Sequence, residues 1–336
     1  MGCKILAIEY VYPDLKLTNK DLAMRFPDYD FEKFEKKVGI KHRYILRENE
    51  TALGLAVNAC EKLFGRYNRD SVDYLLYCTQ SPEYVLPTTA CVLQDKIGLR
   101  KDIGALDFNL GCSGYTYGIS LAKGLINSGQ AVNVLLVTAE SYSKHINSMD
   151  RSNLSLFGDA ATATLITLDK DEGIGEFKFG TDGSGYDKLI VKNGSTKHRY
   201  DTAAPLKSYG TNNHYTDNDL YMDGPEIFNF TGDVIPKFTE DVLLLNELER
   251  SDVSQFIFHQ ANAFMLKFMR NKLKINEERF YISLNNGGNT VSNTIPIALK
   301  DYTENKIQDG PEKILLMGFG VGLSWCGGLI YINSKL

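Results

Sequence analysis

The hydrophobic positions of this chain fall into short aliphatic runs that alternate with longer amphipathic stretches along the whole length. Short apolar runs are typical of strands buried on both faces, and apolar positions three to four residues apart are typical of helices. The pattern therefore predicts an α/β protein. The predicted strands are Cys3–Tyr10, Tyr74–Cys78, Ile103–Asn109, Asn133–Thr138, Ala161–Leu168, Gln255–Phe258, Phe280–Ser283, Ile314–Met317 and Gly327–Tyr331; the predicted helices are Thr51–Phe64, Thr88–Ile97, Ser113–Asn127, Asp223–Leu245, Ala261–Leu273 and Asn293–Asp301.

Two pairs of segments resemble each other across the middle of the chain. The apolar run before Cys78 resembles the run before His259, and the segment 157–168 resembles 318–332. Such similarity indicates a duplicated α/β unit. Since a domain takes roughly 150 residues, the 336 residues suit two halves, which we predict at 1–170 and 171–336.

Composition narrows the classes of function. A formal net charge of −5, from 37 basic and 42 acidic side chains, gives no general attraction to nucleic acid or anionic membranes. No apolar run is long enough for a membrane helix, and the first residues lack the pattern of a signal peptide. The six cysteines form no C-x-x-C pair, which indicates free thiols and no metal site. We expect a cytoplasmic protein without nucleic-acid binding or membrane insertion.

Cys112 is the cysteine best placed for chemistry. It stands between a predicted strand and a predicted helix, where unpaired N–H groups and the helix dipole stabilise a thiolate. We therefore expect its pKa to lie below the usual value of ~8.5. The alternative is an ordinary strand–helix turn, and the other five cysteines are expected to fill the core. The buried side of the helix is predicted to be Tyr115, Ile119, Ala122 and Ile126.

Two more polar residues follow buried segments. His259 closes an apolar strand, at the edge where α/β active sites gather, although a hydrogen-bonded core histidine would look the same. Asn289 follows the turn Gly287–Gly288 and precedes a helix. Its amide could cap that helix or donate a hydrogen bond into a cleft.

The order of Cys112 in a Gly-Cys-Ser-Gly turn, His259 before Gln-Ala-Asn, and Asn289 before Thr-Val-Ser-Asn-Thr-Ile-Pro resembles the thiolase-fold β-ketoacyl-acyl-carrier-protein synthase III family. The resemblance covers nearly the whole chain. It implies two similar halves in a five-layered αβαβα fold and a homodimer, with the active site between the halves. Further matching motifs are Leu86–Pro87, Asp150–Arg151, Phe157–Ala160 and Gly318–Gly320.

The resemblance also implies a ping-pong reaction. Cys112 would take the acyl group of an acyl-CoA, with the N–H groups of Cys112 and Val321 as oxyanion hole. His259 and Asn289 would then stabilise the charge that forms when malonyl-acyl carrier protein loses carbon dioxide. Phe319 would shield the site and favour that loss. Coenzyme A and phosphopantetheine thioesters would be substrates, and no cofactor is expected.

Other assignments rest on positions that match the family. Lys37 and Arg151 would lie near the nucleotide of coenzyme A, and Asn262 near the substrate, but Lys33 stands where a tryptophan often stacks on adenine. Leu86 would line the far end of the acyl pocket across the dimer interface. A basic helix face beside the site, unless it is merely solvated, would dock the carrier protein; its residues are Lys267, Arg270 and Lys274.

Leu86, in place of phenylalanine, and the long polar stretch Gly180–Asp219 favour a specialised synthase, for a secondary metabolite or a modified lipid, over the general initiator of fatty-acid synthesis. Three alternatives remain open. The acyl group could pass to an amine or alcohol, the enzyme could be of the hydroxymethylglutaryl type with Glu83 as base, or the chain could be a non-catalytic partner subunit. No nucleotide-binding glycine motif follows a strand.

Overall fold

The structure is a computed structural model that describes residues 2–284, 287–305 and 311–336. Within these ranges, no helix is both long and apolar enough to cross a membrane. The strands are β1 (Gly2–Val11), β2 (Leu15–Thr18), β3 (His42–Ile45), β4 (Tyr74–Cys78), β5 (Gly104–Phe108), β6 (Asn133–Glu140), β7 (Ala160–Asp169), β8 (Ile174–Thr181), β9 (Leu189–Val191), β10 (Lys207–Tyr209), β11 (Asn213–Tyr215), β12 (Leu220–Met222), β13 (Gln255–Phe258), β14 (Glu312–Gly320) and β15 (Ser324–Ile332). The helices are α1 (Asn19–Arg25), α2 (Phe31–Val38), α3 (Ala52–Phe64), α4 (Thr89–Lys96), α5 (Gly114–Asn127), α6 (Arg151–Leu156), α7 (Gly224–Leu245), α8 (Ala263–Lys272) and α9 (Thr294–Asn305).

Two large sheets share one strand arrangement. The first has the order β1-β7-β6-β4-β5, and the second has the order β13-β14-β15-β8. In both, a parallel pair (β4 with β6, β13 with β14) is followed by two antiparallel partners. The similar sequence segments occupy equivalent positions, since β4 matches β13 and β7 matches β15. The division predicted at residue 170 falls between β7 and β8 and stays a prediction.

Helices cover both faces of both sheets. α5 and α9 lie between the sheets and contact strands of each. α3 and α4 cover the outer face of the first sheet, and α7 covers the outer face of the second. The five-layered α/β architecture is therefore confirmed. The four apolar residues predicted for α5 are all buried, because they face the strands on either side.

One predicted strand is wrong. Residues Phe280–Ser283 form a single parallel bridge, from Phe280 to Phe256, and no further ladder. The side chain of Gln260 takes the place of the ladder: its amide nitrogen donates to Tyr281 O at 3.3 Å, and its oxygen accepts from Ser283 N at 2.7 Å. Within the long polar stretch Gly180–Asp219, β10 pairs with β11, and β9 pairs with β12, which directly follows the stretch.

Candidate active site

Cys112 lies on the turn between β5 and α5, and it is 5% exposed. The turn closes with a hydrogen bond from Gly114 N to Gly111 O of 2.8 Å. A Cβ atom at Gly114 would lie 2.3 Å from Cys78 Sγ, so only glycine allows this close approach to β4. The turn thus holds the thiol between the two sheets at the start of the central helix.

The expectation of a lowered pKa for Cys112 is wrong. Burial raises the pKa of its thiol to about 12, and the nearby carboxyl of Glu140 raises it further. The backbone N–H groups of Val321 and of Cys112 itself act in the opposite direction, but burial outweighs them. The resting nucleophile is therefore the thiol, with two N–H groups directed at its sulfur.

A buried carboxyl lies behind this turn. Glu140, at the end of β6, accepts hydrogen bonds from Gln80 N (3.1 and 3.2 Å), Ser81 Oγ (3.3 Å) and Ser292 Oγ (3.0 Å). Burial raises its pKa to about 8. Glu140 ties the segment after β4 to the segment that carries Asn289, and it does not line the cavity described below.

His259 directly follows β13 and is 2% exposed. Its backbone N–H donates to Met317 O at 2.8 Å, its Nδ1 lies 2.7 Å from Thr294 Oγ1, and its ring packs edge-on against Phe319. Burial lowers the pKa of the imidazole to about 3. The ring is therefore neutral at physiological pH and offers Nε2 to the cavity that it lines.

Asn289 is fixed on three sides. Its backbone N–H donates to Leu156 O (2.9 Å), its carbonyl accepts from Gly158 N (3.0 Å), and its side-chain Oδ1 accepts from Val291 N (2.9 Å). With Oδ1 engaged, the amide offers its Nδ2 protons to the cavity. The two alternatives are therefore combined: Oδ1 caps the 3-10 turn Val291–Asn293 that runs into α9, and the same side chain lines the cavity.

Cys112, His259 and Asn289 line one cavity of about 160 Å³, together with Phe319, Gly320 and Asn262. Its other walls are mainly apolar, so polar groups in it are poorly solvated and interact strongly with one another. Asn289 contributes a side-chain amide to this cavity, His259 contributes a ring nitrogen, and Cys112 contributes a thiol. The remaining lining residues are Leu156, Phe157, Leu189, Met222, Gly224, Ile227, Phe228, Thr231, Ala261 and Met265.

A wider outer groove of about 560 Å³ adjoins this cavity, with Leu156 and Asn262 lining both. Lys37 and Arg151 line the groove, so the structure brings together the residues predicted for the nucleotide. Asn262 also caps α8, by accepting from Met265 N at 2.9 Å.

Sequence reasoning missed an aromatic residue in the outer groove. The Arg151 guanidinium lies 3.6 Å from the centre of the Tyr29 ring, and Lys33 lines the same groove. The signal was present, because Tyr29 lies just before α2, four residues from the position where the family often has tryptophan. Lys37 similarly lies 4.5 Å from the ring of Phe264.

The predicted docking face is only partly formed. Lys267 is exposed on α8, but Arg270 is half-buried and paired with Glu277 at 3.1 Å. Lys274 lies beyond the end of α8, with a φ of 53°, so the predicted helical spacing is wrong there. The exposed side of α8 instead carries Phe264 and Phe268 beside Lys267 and Lys272.

Three further predictions concern residues away from the cavity. Leu86 is 80% exposed and does not line the cavity of its own chain. Glu83 lines a different cavity, with Glu50 and Lys96. Cys91 is exposed, so the expectation that all other cysteines fill the core is wrong for this residue, which lies on the outer side of α4.

Comparisons with known proteins match both halves. Family models of 3-oxoacyl-[acyl-carrier-protein (ACP)] synthase III match residues 106–183, and those of its C-terminal part match residues 243–332. A beta-ketoacyl-[acyl-carrier-protein] synthase III of Clostridium tetani is 35% identical over 333 residues, which are 97% of each chain. A crystal structure of a 3-oxoacyl-(acyl-carrier-protein) synthase III is 43% identical, with a TM-score of 0.96 over 98% of this chain and 99% of that one. The structure of a 3-oxoacyl-(acyl-carrier protein) synthase from Burkholderia xenovorans LB400 is 33% identical, with a TM-score of 0.92 over 100% and 95%.

Proposed function

This chain belongs to the 3-oxoacyl-[acyl-carrier-protein] synthase III family, and from that membership and the site we propose a two-step condensation centred on Cys112. The chain is an acyl-transferring condensing enzyme, a transferase of the thiolase fold. The observation that supports the two-step assignment is that one cavity is lined by a buried thiol, a histidine ring and an asparagine amide.

In the first step, Cys112 Sγ attacks the carbonyl carbon of an acyl-CoA. The backbone N–H groups of Cys112 and Val321, which point at the sulfur, stabilise the oxyanion of the tetrahedral intermediate. The C–S bond to coenzyme A breaks, and the proton of the Cys112 thiol ends on the departing thiol. Since the free thiol is protonated at rest, proton removal is part of this step.

In the second step, a malonyl thioester replaces coenzyme A. Its carboxylate leaves as carbon dioxide, and the electron pair moves to the thioester oxygen, where Nε2–H of His259 and Nδ2–H of Asn289 stabilise it. The carbanion attacks the acyl carbon, the C–S bond to Cys112 breaks, and the released thiolate takes up a proton from solvent to restore the resting thiol. The apolar wall around Phe319 favours loss of a charged carboxylate, because burial of an unpaired charge is costly.

The outer groove suits the donor. Lys37 and Arg151 supply two cations for the phosphates of coenzyme A, and the Tyr29 ring stacks on the Arg151 guanidinium and holds it in the groove. For malonyl-acyl carrier protein, the exposed Lys267 and the aromatic residues of α8 are the surface that we propose to dock an acidic partner.

We further propose a cytoplasmic homodimer that needs no cofactor beyond its thioester substrates. The edge strand β5 and the exposed Leu86 support a second copy, in whose pocket Leu86 would lie. The leucine and the long segment 180–219 support a specialised product in fatty-acid or secondary lipid biosynthesis. Failure to elongate any acyl group longer than acetyl would contradict this specialisation.

The alternatives fit the site less well. Transfer of the acyl group to an amine or alcohol would need no donors at a malonyl oxygen, and the presence of His259 and Asn289 in the cavity of Cys112 therefore supports a malonyl acceptor instead. A hydroxymethylglutaryl-type reaction needs an acidic residue as general base beside the thiol, whereas Glu83 lines a different cavity. A non-catalytic subunit would not need Cys112.

The first test is the mass of the intact protein after incubation with short, branched and long acyl-CoA donors, without acceptor. We expect a donor-sized gain that Cys112→Ala abolishes and that Cys91→Ser, a change at an exposed thiol, leaves intact. A gain that survives Cys112→Ala would contradict the assigned nucleophile. No gain with any donor, in a folded protein, would contradict coenzyme A as the donor carrier.

A further inference from the structure

The ring nitrogen of His259 that faces away from the cavity, Nδ1, is hydrogen-bonded to a residue with no role in the two steps above. Thr294, the first residue of α9, places Oγ1 2.7 Å from His259 Nδ1. Both residues are buried, at 2% and 3% exposure, so water does not compete for this contact. A neutral imidazole carries one proton, and the partner of one ring nitrogen decides what the other can do.

Two arrangements satisfy this contact. In the first, the Thr294 hydroxyl donates to Nδ1, and the proton of the ring lies on Nε2. In the second, Nδ1–H donates to Oγ1, the hydroxyl donates to Val291 O at 3.1 Å, and Nε2 is a bare acceptor. Only the first arrangement gives the cavity a donor at His259.

In the first arrangement, the carbonyl of Val291 loses the hydroxyl of Thr294 as a donor but keeps a second one. Val291 O already accepts the backbone N–H of Thr294, so the carbonyl keeps a partner when the hydroxyl turns to Nδ1. The N–H of Val291 meanwhile holds Asn289 Oδ1. One short turn therefore directs both a histidine donor and an amide donor into the same cavity.

This turn is strained. Val291 has a φ of 59°, a left-handed conformation that β-branched residues rarely adopt, and its side chain is fully buried. Such strain persists where the surrounding structure imposes it, often at functional sites. Here the unusual backbone aims the N–H of Val291 at Asn289 while its carbonyl faces Thr294.

We propose that Thr294 is a positioning residue: its hydroxyl donates to His259 Nδ1 and thereby keeps the ring proton on Nε2, facing the thioester oxygen. This inference rests on the proposed condensation. It assigns to Thr294 a role in the decarboxylation step alone, because the attack by Cys112 uses the backbone N–H groups of Cys112 and Val321.

The test compares Thr294→Val, which keeps the shape and removes the donor, with Thr294→Ser, which keeps the donor. The matched control is Thr239→Val, a buried threonine of α7 whose hydroxyl bonds Ile235 O within its own helix. Acyl-enzyme formation and carbon dioxide release from a malonyl thioester are measured separately. We expect Thr294→Val to slow carbon dioxide release by about 10- to 100-fold. That is the range observed when a metal-binding histidine loses the hydrogen-bond partner of its other ring nitrogen, and we expect the same scale here.

Acyl-enzyme formation should stay within about twofold of wild type in all three variants. Thr294→Ser should release carbon dioxide at a rate within about threefold of wild type, because the serine hydroxyl can make the same hydrogen bond to His259 Nδ1. Equal losses in both steps, or a serine variant as slow as the valine variant, would overturn the proposal.

Nitrogen-15 histidine spectra provide a readout independent of turnover. The His259 signal, assigned by its absence in His259→Asn, should show a protonated Nε2 and an unprotonated Nδ1 in wild type. In Thr294→Val the two forms should become mixed. A wild-type ring protonated on Nδ1 would overturn the proposal, whether or not the protein condenses malonyl thioesters. If the wild-type protein shows the expected spectrum but does not condense malonyl thioesters, the proposed function is contradicted instead.

Discussion

Gly320 gives the nucleophile its space. It is the last residue of β14, and a Cβ atom there would lie 2.9 Å from both Cβ and Sγ of Cys112. Ordinary contact begins at 3.4 Å, so an alanine would have to displace the thiol or its own strand by 0.5 Å or more. The change Gly320→Ala therefore acts on the position of the sulfur without altering its chemistry.

A displacement of this size has a calculable consequence. A misplacement of about 1 Å at reacting atoms can cost roughly a hundredfold in rate. Since the thiol moves by about half that distance, we expect acylation of Cys112 to slow by about 10- to 100-fold. Because Gly320 has a φ of 159°, which L side chains rarely adopt, the alanine also strains the end of β14, and folding of the variant is therefore checked by urea unfolding before its acylation rate is compared.

The assay is the single-turnover rate of acyl-enzyme formation, measured by intact mass after rapid quenching. The matched control is Gly124→Ala on α5, where an added Cβ meets nothing within 4 Å. That control should acylate normally and gain about 0.5–1 kcal/mol of stability, as expected for alanine in a helix. A folded Gly320→Ala variant that acylates at the wild-type rate would refute the argument.

Three further predictions concern charge and hydrogen bonding. Asn289→Asp keeps the hydrogen bond from Val291 N–H but removes the Nδ2–H donor, so carbon dioxide release should fall by about 10²- to 10³-fold while acylation of Cys112 persists. An equal fall in the two rates would contradict the role of Asn289 as donor to the thioester oxygen. Alkylation of Cys112 in a Cys91→Ser background should rise about tenfold per pH unit from pH 7 to 10, because burial raises the pKa of the thiol to about 12; a plateau below pH 8 would contradict it. Glu140 has a pKa of about 8 in the fold against 4.5 when unfolded, so the native chain binds an extra proton and loses stability as pH rises through that window. Between pH 5 and pH 9, wild type should lose more stability toward urea than Glu140→Gln, by about 4 kcal/mol. Equal losses in the two proteins would contradict the assigned pKa.

Much of the fold was predictable because it follows from local patterns. β4 and β13 have the predicted bounds, since apolar runs between turns define a buried strand. The strand predicted at Phe280–Ser283 does not form a ladder, because the side chain of Gln260 takes the backbone hydrogen bonds there, a tertiary contact that local sequence does not reveal. The prediction that Lys274 lies on the same helix face as Lys267 and Arg270 is wrong, because α8 ends at Lys272.

The site was predictable in its residues but not in its orientation. The order and neighbours of Cys112, His259 and Asn289 pointed to the three cavity groups. The sequence does not reveal which atom of Thr294 meets His259, because that contact joins elements 35 residues apart. Likewise, the pKa of Cys112 depends on burial by distant segments, whereas the helix dipole is a local feature.

Carbon dioxide release from a carboxyl-labelled malonyl thioester tests the central claim most directly. Protein preloaded with an acyl group on Cys112 should release one carbon dioxide for each 3-oxoacyl product formed, and Asn289→Asp should suppress both together. Acyl transfer without carbon dioxide release, or release that does not depend on Asn289, would contradict decarboxylative condensation at this site.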